Sequence, residues 1–399
     1  MLRIRGGSEA IRQRDWLLIV GLILSPMTGL RIAKVGPAEV LCLIWVLLHA
    51  PKARIIINNI TSFFLVFLGS MFIGTIWCLA ISPREIVYDH WFTWIYLTII
   101  SIGMYNGLSK NTIDYNVRIF DLFSRGAAIW YLLLFVYSRV VSTSFLGAPL
   151  WYYGYRFTGG ATNPHQIAVL MCGLTFCFTR YVFSNKKPVV NALFAIVCLY
   201  LELQTASSTG IVALVLAFAV TAFIVTGHTV QNRTTRYIFY VFEAVIIILV
   251  AVLGYSFFYR TIYSWILSDS NGLGRINLLH QIGNSFKKSP IFGLGPGVHA
   301  FDTFGNVKEY HNTYLEIIAT TGLVGMAAFV ILTIRTMKNM LVDDFFIPIM
   351  IAIYAYGLGG FAMRRLAYWG LFIFIFVLSE QMRKKSDEEI ASENALQRN

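Results

Sequence analysis

Residues 209–227 read TGIVALVLAFAVTAFIVTG, nineteen positions without a charged side chain. Wound into a helix at 1.5 Å per residue, such a run reaches about 28 Å, close to the ~30 Å hydrocarbon core of a bilayer. Comparable apolar windows recur on both sides of it, separated by short breaks that carry Lys, Arg, Gly or Pro. They fall near 15–30, 35–50, 55–80, 91–107, 119–139, 163–183, 188–205, 237–257, 313–334, 345–362 and 367–381. Together they predict an all-α polytopic integral membrane protein with about twelve transmembrane helices, because a bilayer accepts only helices or closed barrels and these runs are too long for barrel strands. The first two windows are short and joined by Thr28 to Gly36, which leaves a re-entrant pair open.

Composition agrees. Of 399 residues, 57% are hydrophobic and 13% charged, against about 25% charged in ordinary soluble domains. A soluble enzyme, a disulfide scaffold, a coiled coil and a nucleic-acid binder are all disfavoured as classes. The formal net charge of +12 suggests a polyanion partner, but much of the excess sits in connectors where the positive-inside rule puts it. Cys42, Cys78, Cys172, Cys177 and Cys198 all fall within apolar runs, as small buried hydrophobes do. Arg3, Arg5, Arg12 and Arg14 precede the first apolar run without a small-residue cleavage site after it, so that run is read as the first span rather than a signal peptide.

With the N-terminus in the cytoplasm, nineteen Lys and Arg residues fall on that side and twelve on the other, Arg125 lying within a span. Both termini are therefore expected in the cytoplasm. The expected layout is a single transmembrane helical domain over residues 1–382 with a charged cytoplasmic tail at 383–399. Two extracytoplasmic segments stand out, roughly 140–162 and 258–312. The second follows the ninth span, mixes Trp, Phe and Tyr with polar residues, and reads as a folded cap.

The densest polar cluster lies in and after that loop: Arg275, then Gly293-Leu294-Gly295-Pro296-Gly297, then His311-Asn312 at the entry to the tenth span. The Gly-rich run lacks the Gly-Lys-Ser/Thr ending of a phosphate-binding loop. It serves either a tight turn or a backbone that approaches a ligand closely. Gly322 and Gly325 would share one helix face and let a neighbour approach. Taken alone, His311 reads as an interfacial structural residue as readily as a functional one. Glu309 and Glu316 flank the motif, and Glu316 is either catalytic or a hydrogen-bonding anchor for the helix.

The run from Gly293 to Gly297, followed by His311-Asn312-Thr313-Tyr314-Leu315 and Gly322-Leu323-Val324-Gly325, resembles the signature region of the bacterial O-antigen ligase and O-antigen polymerase superfamily. The His-Asn, nine residues, Gly-x-x-Gly spacing is similar to that of the ligases. Gly274-Arg275 before Ser289-Pro290-Ile291-Phe292-Gly293, and Arg156-Phe157-Thr158-Gly159 before Asn163-Pro164, agree with it. The clear likeness covers about residues 150–330. It implies an inner-membrane glycosyltransferase that needs no metal or other cofactor, with its active site facing the periplasm. The implied donor is a glycan on undecaprenyl diphosphate, and the implied acceptor is lipid A-core or a second lipid-linked repeat unit. Membrane lipids are the surroundings, and no nucleic acid takes part.

Carried over residue by residue, Arg156 and Arg275 are the expected diphosphate ligands, since a planar guanidinium holds phosphate oxygens bidentately and stays charged. His311 is the expected proton acceptor, because imidazole titrates near neutral pH. Asn312, Glu316 and the glycines 293, 295, 297, 322 and 325 are expected to support them. One departure stands out: many relatives have an Arg where this chain reads Ser207-Ser208-Thr209-Gly210, and Arg84, Arg260, Arg364 and Arg365 lie on the same expected side. For each, a snorkelling anchor is the plainer role.

Three other classes compete. A lipid-linked glycan flippase or transporter would also have twelve spans, but would show more mid-span charge than Glu39, Asp121, Arg125, Glu202 and Glu243 supply. A non-catalytic membrane scaffold is the second. A metal hydrolase built on His299, Glu309 and His311 is the third, and it lacks metal-ligand spacing.

Overall fold

The computed structural model describes residues 10–32, 35–49, 57–184, 187–232, 234–246, 281–301 and 307–396. Its helices are α1 (Asp15–Leu24), α2 (Pro37–His49), α3 (Asn59–Ile81), α4 (Tyr88–Leu108), α5 (Ile113–Val140), α6 (His165–Phe183), α7 (Pro188–Gln204), α8 (Ser208–Thr229), α9 (residues 234–246), α10 (residues 281–288), α11 (Thr313–Met340), α12 (Ile347–Tyr356) and α13 (Leu366–Leu396). Several begin at a side-chain cap that satisfies otherwise unpaired N–H groups. Asn58 accepts from Ile60 and Thr61, Thr112 from Tyr115, and Ser207 from Gly210.

The protein is an all-helical polytopic membrane protein. Among the described residues, six helices are long and apolar enough to cross a bilayer: α3, α5, α6, α8, α11 and α13. The windows expected at 15–30 and 345–362 contain helices of only ten residues each, α1 and α12. At 1.5 Å per residue these are about 15 Å long and do not cross ~30 Å of hydrocarbon by themselves. Their windows looked longer because the flanking loops are also apolar: Pro26 follows the end of α1, and Gly357, Gly359 and Gly360 follow the end of α12. The window at 237–257 is helical over its described part, and the remainder lies outside the described residues, as do 258–280 and 302–306 of the long loop.

Helices α6 and α13 form the middle of the bundle. Every residue of α13 from Leu366 to Leu378 is buried, as expected for a helix apolar all round. Trp369 anchors it, its ring 4.7 Å from Phe64 and 5.5 Å from Phe372. Around this centre, α6 packs on α7, α8 on α12, α1 on α2 and α3 on α11. The outer faces remain apolar and exposed, with Leu65, Phe72, Ile76 and Trp77 on α3, Phe218 on α8, and Ile331 and Ile334 on α11. A contiguous belt of this kind is stable against lipid tails, not against water.

Alternate connectors meet at opposite ends. At one end Arg180 pairs with Asp343 at 2.5 Å, Gln381 donates to the Asn111 carbonyl, and Arg335 bonds Asn59. At the other, Gly29 N–H donates to Gly160 O at 2.9 Å and Thr313 N–H to Gly357 O at 2.8 Å. Three short antiparallel hairpins dress that second end: β1 (Ser144–Phe145) with β2 (Ala148–Pro149), β3 (Trp151–Tyr152) with β4 (Arg156–Phe157), and β5 (Ala300–Phe301) with β6 (Val307–Lys308). The polar motif residues of the sequence lie at this end.

Candidate functional site

Helix α11 breaks at Gly322, where φ is +60° and ψ −156°. An unbroken helix would bond Leu323 N–H to Ala319 O and Val324 N–H to Thr320 O. Instead, Leu323 and Val324 donate to Pro290 O and Ile291 O, at 2.9 and 3.1 Å, while Ala319 O and Thr320 O accept from Leu294 and Gly295, at 2.8 and 3.0 Å. The inserted segment 290–295 thus takes up both halves of the two broken bonds. On its other side the segment lies against α3. A Cβ on Gly74 would come within 2.7 Å of Gly295 N, and the Ser70 hydroxyl donates to Thr321 O at 2.6 Å.

This corrects two expectations. Gly322 and Gly325 do not form a continuous helix face for a neighbouring helix: the first is the break itself, and a Cβ on the second would strike the Thr321 side chain of its own helix. The Gly293 to Gly297 run is wedged between helices, and its close approaches are to the backbone of Thr320, Thr321, Thr75 and Glu85 and to the side chains of Thr75 and His299. Gly293 and Gly295 have φ of +70° and +78°, a region that Gly enters without strain. Gly297 bridges Ile86, and Val298 N–H donates to Glu85 O at 2.8 Å.

The lower half of α11 starts at Asn312, whose Oδ1 accepts from Tyr314 N–H and Leu315 N–H at 3.0 and 3.1 Å. Its Nδ2 donates to Leu358 O at 2.7 Å, and the Thr313 hydroxyl donates to Gly360 O at 2.7 Å. These bonds tie the start of α11 to the segment 357–365. Next to the cap, His311 is exposed and adopts a left-handed backbone with φ +51°, an uncommon state for a residue with a Cβ. Glu316 is buried in the first turn, and its Oε2 accepts from Tyr310 N–H at 3.1 Å, which is the anchoring contact of its two expected roles.

Beside His311, Glu309 accepts from Arg364 Nη2 at 2.5 Å and lies 3.4 Å from His90 Nε2. Burial pushes the Glu309 carboxyl up, but the Arg364 and His90 charges outweigh it and hold the group below the usual carboxylate range. Arg365, the next residue, is half-buried. Burial, then repulsion from Arg364 and Arg31, lowers its guanidinium to about 10.

Arg156, on β4, donates from Nε to Thr205 O at 3.0 Å. Its charge acts on Glu202, which the sequence presented as a mid-span residue. In the structure Glu202 sits in the last turn of α7, buried against Gly210, with neither carboxylate oxygen hydrogen-bonded among the described residues. His165 reaches Ser207 Oγ at 3.1 Å, and Tyr356 donates to His165 O at 2.8 Å. Tyr356 leads directly into the segment that holds Asn312, so the Arg156 and His311 regions are neighbours through α12.

His299, Glu309 and His311 do not gather as one metal set. His299 instead lies 3.2 Å from Glu85, and Glu85 accepts from Lys288 Nζ at 2.6 Å. Burial would raise the Glu85 carboxyl, but the bonds from His299 and Lys288 lower it. Cys78, Glu85 and His299 have ligand atoms within 4.8 Å of one another, the one such group among the described residues. Lys288 already supplies a positive charge there.

Of the sequence-derived residues, His311, Asn312, Glu316 and Arg156 lie at one end of the bundle. Arg275 and Arg260 lie outside the described residues. Sequence reasoning gave no place to His90, and no local signal marks a partner so far from Glu309 along the chain. Residues 190–330 match a family model described as O-antigen ligase. No curated protein matches the chain. The matched stretch runs from α7 into α11 and contains the Gly-rich wedge, His311-Asn312 and Gly322 to Gly325. Over that stretch the chain is similar to the O-antigen ligase family.

Proposed function

We propose, with that likeness as the premise, that the protein is an inner-membrane glycosyltransferase. It moves an oligo- or polysaccharide from undecaprenyl diphosphate to a sugar hydroxyl on the periplasmic face. The acceptor is lipid A-core in ligation, or a lipid-linked repeat unit in polymerisation of a surface polysaccharide. The observation that carries the reading is the Asn312 cap, which fixes the start of α11 and sets the exposed His311 beside the Glu309–Arg364 pair.

In this reading the acceptor hydroxyl attacks the anomeric carbon of the donor glycan. The new C–O bond forms as the bond to the lipid diphosphate breaks, the hydroxyl proton passes to His311, and the diphosphate leaves with the bonding electrons. General-base assistance of this kind contributes about 10²–10⁴ in rate. Charge building on the leaving diphosphate is met by guanidinium groups, with Arg156 and Arg275 the candidates from the sequence, and not by a metal ion. Glu316 and the glycine wedge hold α11 and the loop in register for this chemistry.

The test uses purified protein in detergent, a labelled glycan on undecaprenyl diphosphate, and each acceptor in turn, with and without EDTA. Transfer that releases undecaprenyl diphosphate and survives the chelator supports the reading, and the acceptor used separates ligation from polymerisation. Movement of the lipid-linked glycan across proteoliposomes with no transfer to either acceptor would instead establish a flippase.

A further inference from the structure

At the end of the bundle that carries His311, Arg31, Arg364 and Arg365 lie near enough to act on one another, and among the described residues two of the three have a carboxylate partner. Arg31 pairs with Glu39, and Arg364 with Glu309. Each pair leaves a donor over: Arg31 Nε and Arg364 Nη1 are buried with no hydrogen-bond partner among the described residues. The third, Arg365, is half-buried beside both, near enough that their charges act on it, and its side chain makes no hydrogen bond or ion pair among the described residues. Arg365 also precedes α13 directly, and its carbonyl accepts from Trp369 N–H at 3.4 Å.

Gathering like charges away from water costs free energy that a fold does not leave uncompensated without reason. The pairs also restrain what they hold. Glu39 accepts from Gly36 N–H at 3.0 Å, which fixes the turn behind Arg31, and Glu309 holds Arg364. Two guanidinium groups are thus pre-positioned with a donor to spare, and one is wholly available. That arrangement suits an anion with several oxygens and negative charge spread over two phosphate groups.

We infer that Arg31, Arg364 and Arg365 add a further set of diphosphate ligands to the arginines named from the sequence, with Arg365 the foremost of the three, and that they help to hold the leaving lipid diphosphate within reach of His311. The site deepens the proposed transferase reading and rests on it. It also gives a physical counterpart to the Ser207 to Gly210 stretch, where an expected arginine is missing: the charge is supplied from the connector before α13 instead.

Arg365→Gln and Arg365→Lys are the variants of choice, because replacing Arg364 would strand the Glu309 carboxylate and risk the fold. Purified full-length protein is tested by fluorescence quenching for binding of a short polyprenyl diphosphate, the matching monophosphate and inorganic pyrophosphate, together with its thermal midpoint. The expected result is a Kd for polyprenyl diphosphate weakened about tenfold or more in Arg365→Gln and less in Arg365→Lys, with a thermal midpoint equal to or above that of wild type, since an unpartnered cation has been removed. Wild-type preference for the diphosphate over the monophosphate is expected, and binding of pyrophosphate shows that the headgroup alone suffices.

Arg365→Gln binding as wild type, or losing binding only together with thermal stability, overturns the site and makes Arg365 structural. Wild-type protein that binds no diphosphate also overturns it. Wild-type protein that binds polyprenyl diphosphate through Arg365 yet transfers no glycan leaves the site standing and sinks the transferase reading alone.

Discussion

Gly322 and Gly293 meet backbone to backbone: a Cβ on Gly322 would lie 2.6 Å from Gly293 N and 2.5 Å from Ile291 O. Their contact joins the Gly-rich loop segment to the break in α11, about 13 Å below the start of that helix at 1.5 Å per residue. Irregular backbone is tolerated at membrane depth only where protein satisfies it, and here the exchanged hydrogen bonds between residues 290–295 and 319–324 do so.

Gly322→Ala and Gly293→Ala are therefore expected to destabilise the protein by roughly 2 kcal/mol or more, from positive-φ strain plus backbone collision. Gly69, which has open space around its Cβ position, is the control: Gly69→Ala should be neutral or slightly stabilising. Thermal unfolding in detergent reads the difference. Equal midpoints for Gly322→Ala and Gly69→Ala would show that the two segments do not meet.

Asn312→Ala removes the cap of α11 and the bond to Leu358 O, at a cost of about 1 kcal/mol. Asn312→Asp keeps the accepting oxygen but sets a second oxygen against Leu358 O, so it should recover only part of the loss. The pair of thermal midpoints checks this, and an Asp variant as weak as the Ala variant would locate the stabilisation in the Leu358 bond.

Glu309 gives a pH dependence with a defined sign. Its carboxyl lies below its ordinary value of about 4.3 when folded, so the stability it contributes is present above that value and is lost as pH falls through the folded pKa. Wild-type midpoints should drop on acidification below about pH 4. Glu309→Gln should be less stable near neutrality, because Arg364 loses its partner, and should show a shallower acid decline. The same decline in both proteins would assign it to other groups, Glu85 among them.

How far the sequence disclosed these features depended on distance along the chain. Charge-free runs such as residues 209–227 declared their helices, since hydrophobicity is local. The ends of α1 and α12 were blurred because apolar loops carry the same signal as apolar helices. His311-Asn312 was legible as a motif because its residues are neighbours in the chain, and the cap that Asn312 forms is likewise a relation between neighbours. The break at Gly322 was not, for it is stabilised by residues 290–295 and by Ser70, none of them periodic with it. The pairing of Glu309 with Arg364 and His90 was invisible for the same reason, and with it the gathering of Arg31, Arg364 and Arg365.

The proposed orientation is open to a direct check. A reporter active only in the periplasm, fused after Gly297, should be active, and one fused after Lys385 should not. The opposite pattern would remove His311 from a periplasmic donor.

Proton transfer to His311 is tested by the turnover of purified His311→Ala and His311→Gln with lipid-linked donor and sugar acceptor, measured alongside donor binding. Both variants are expected to lose about 10²-fold or more in kcat while binding donor as wild type does. A His311→Gln enzyme turning over near the wild-type rate would contradict proton transfer to His311, because glutamine preserves a hydrogen bond but takes up no proton.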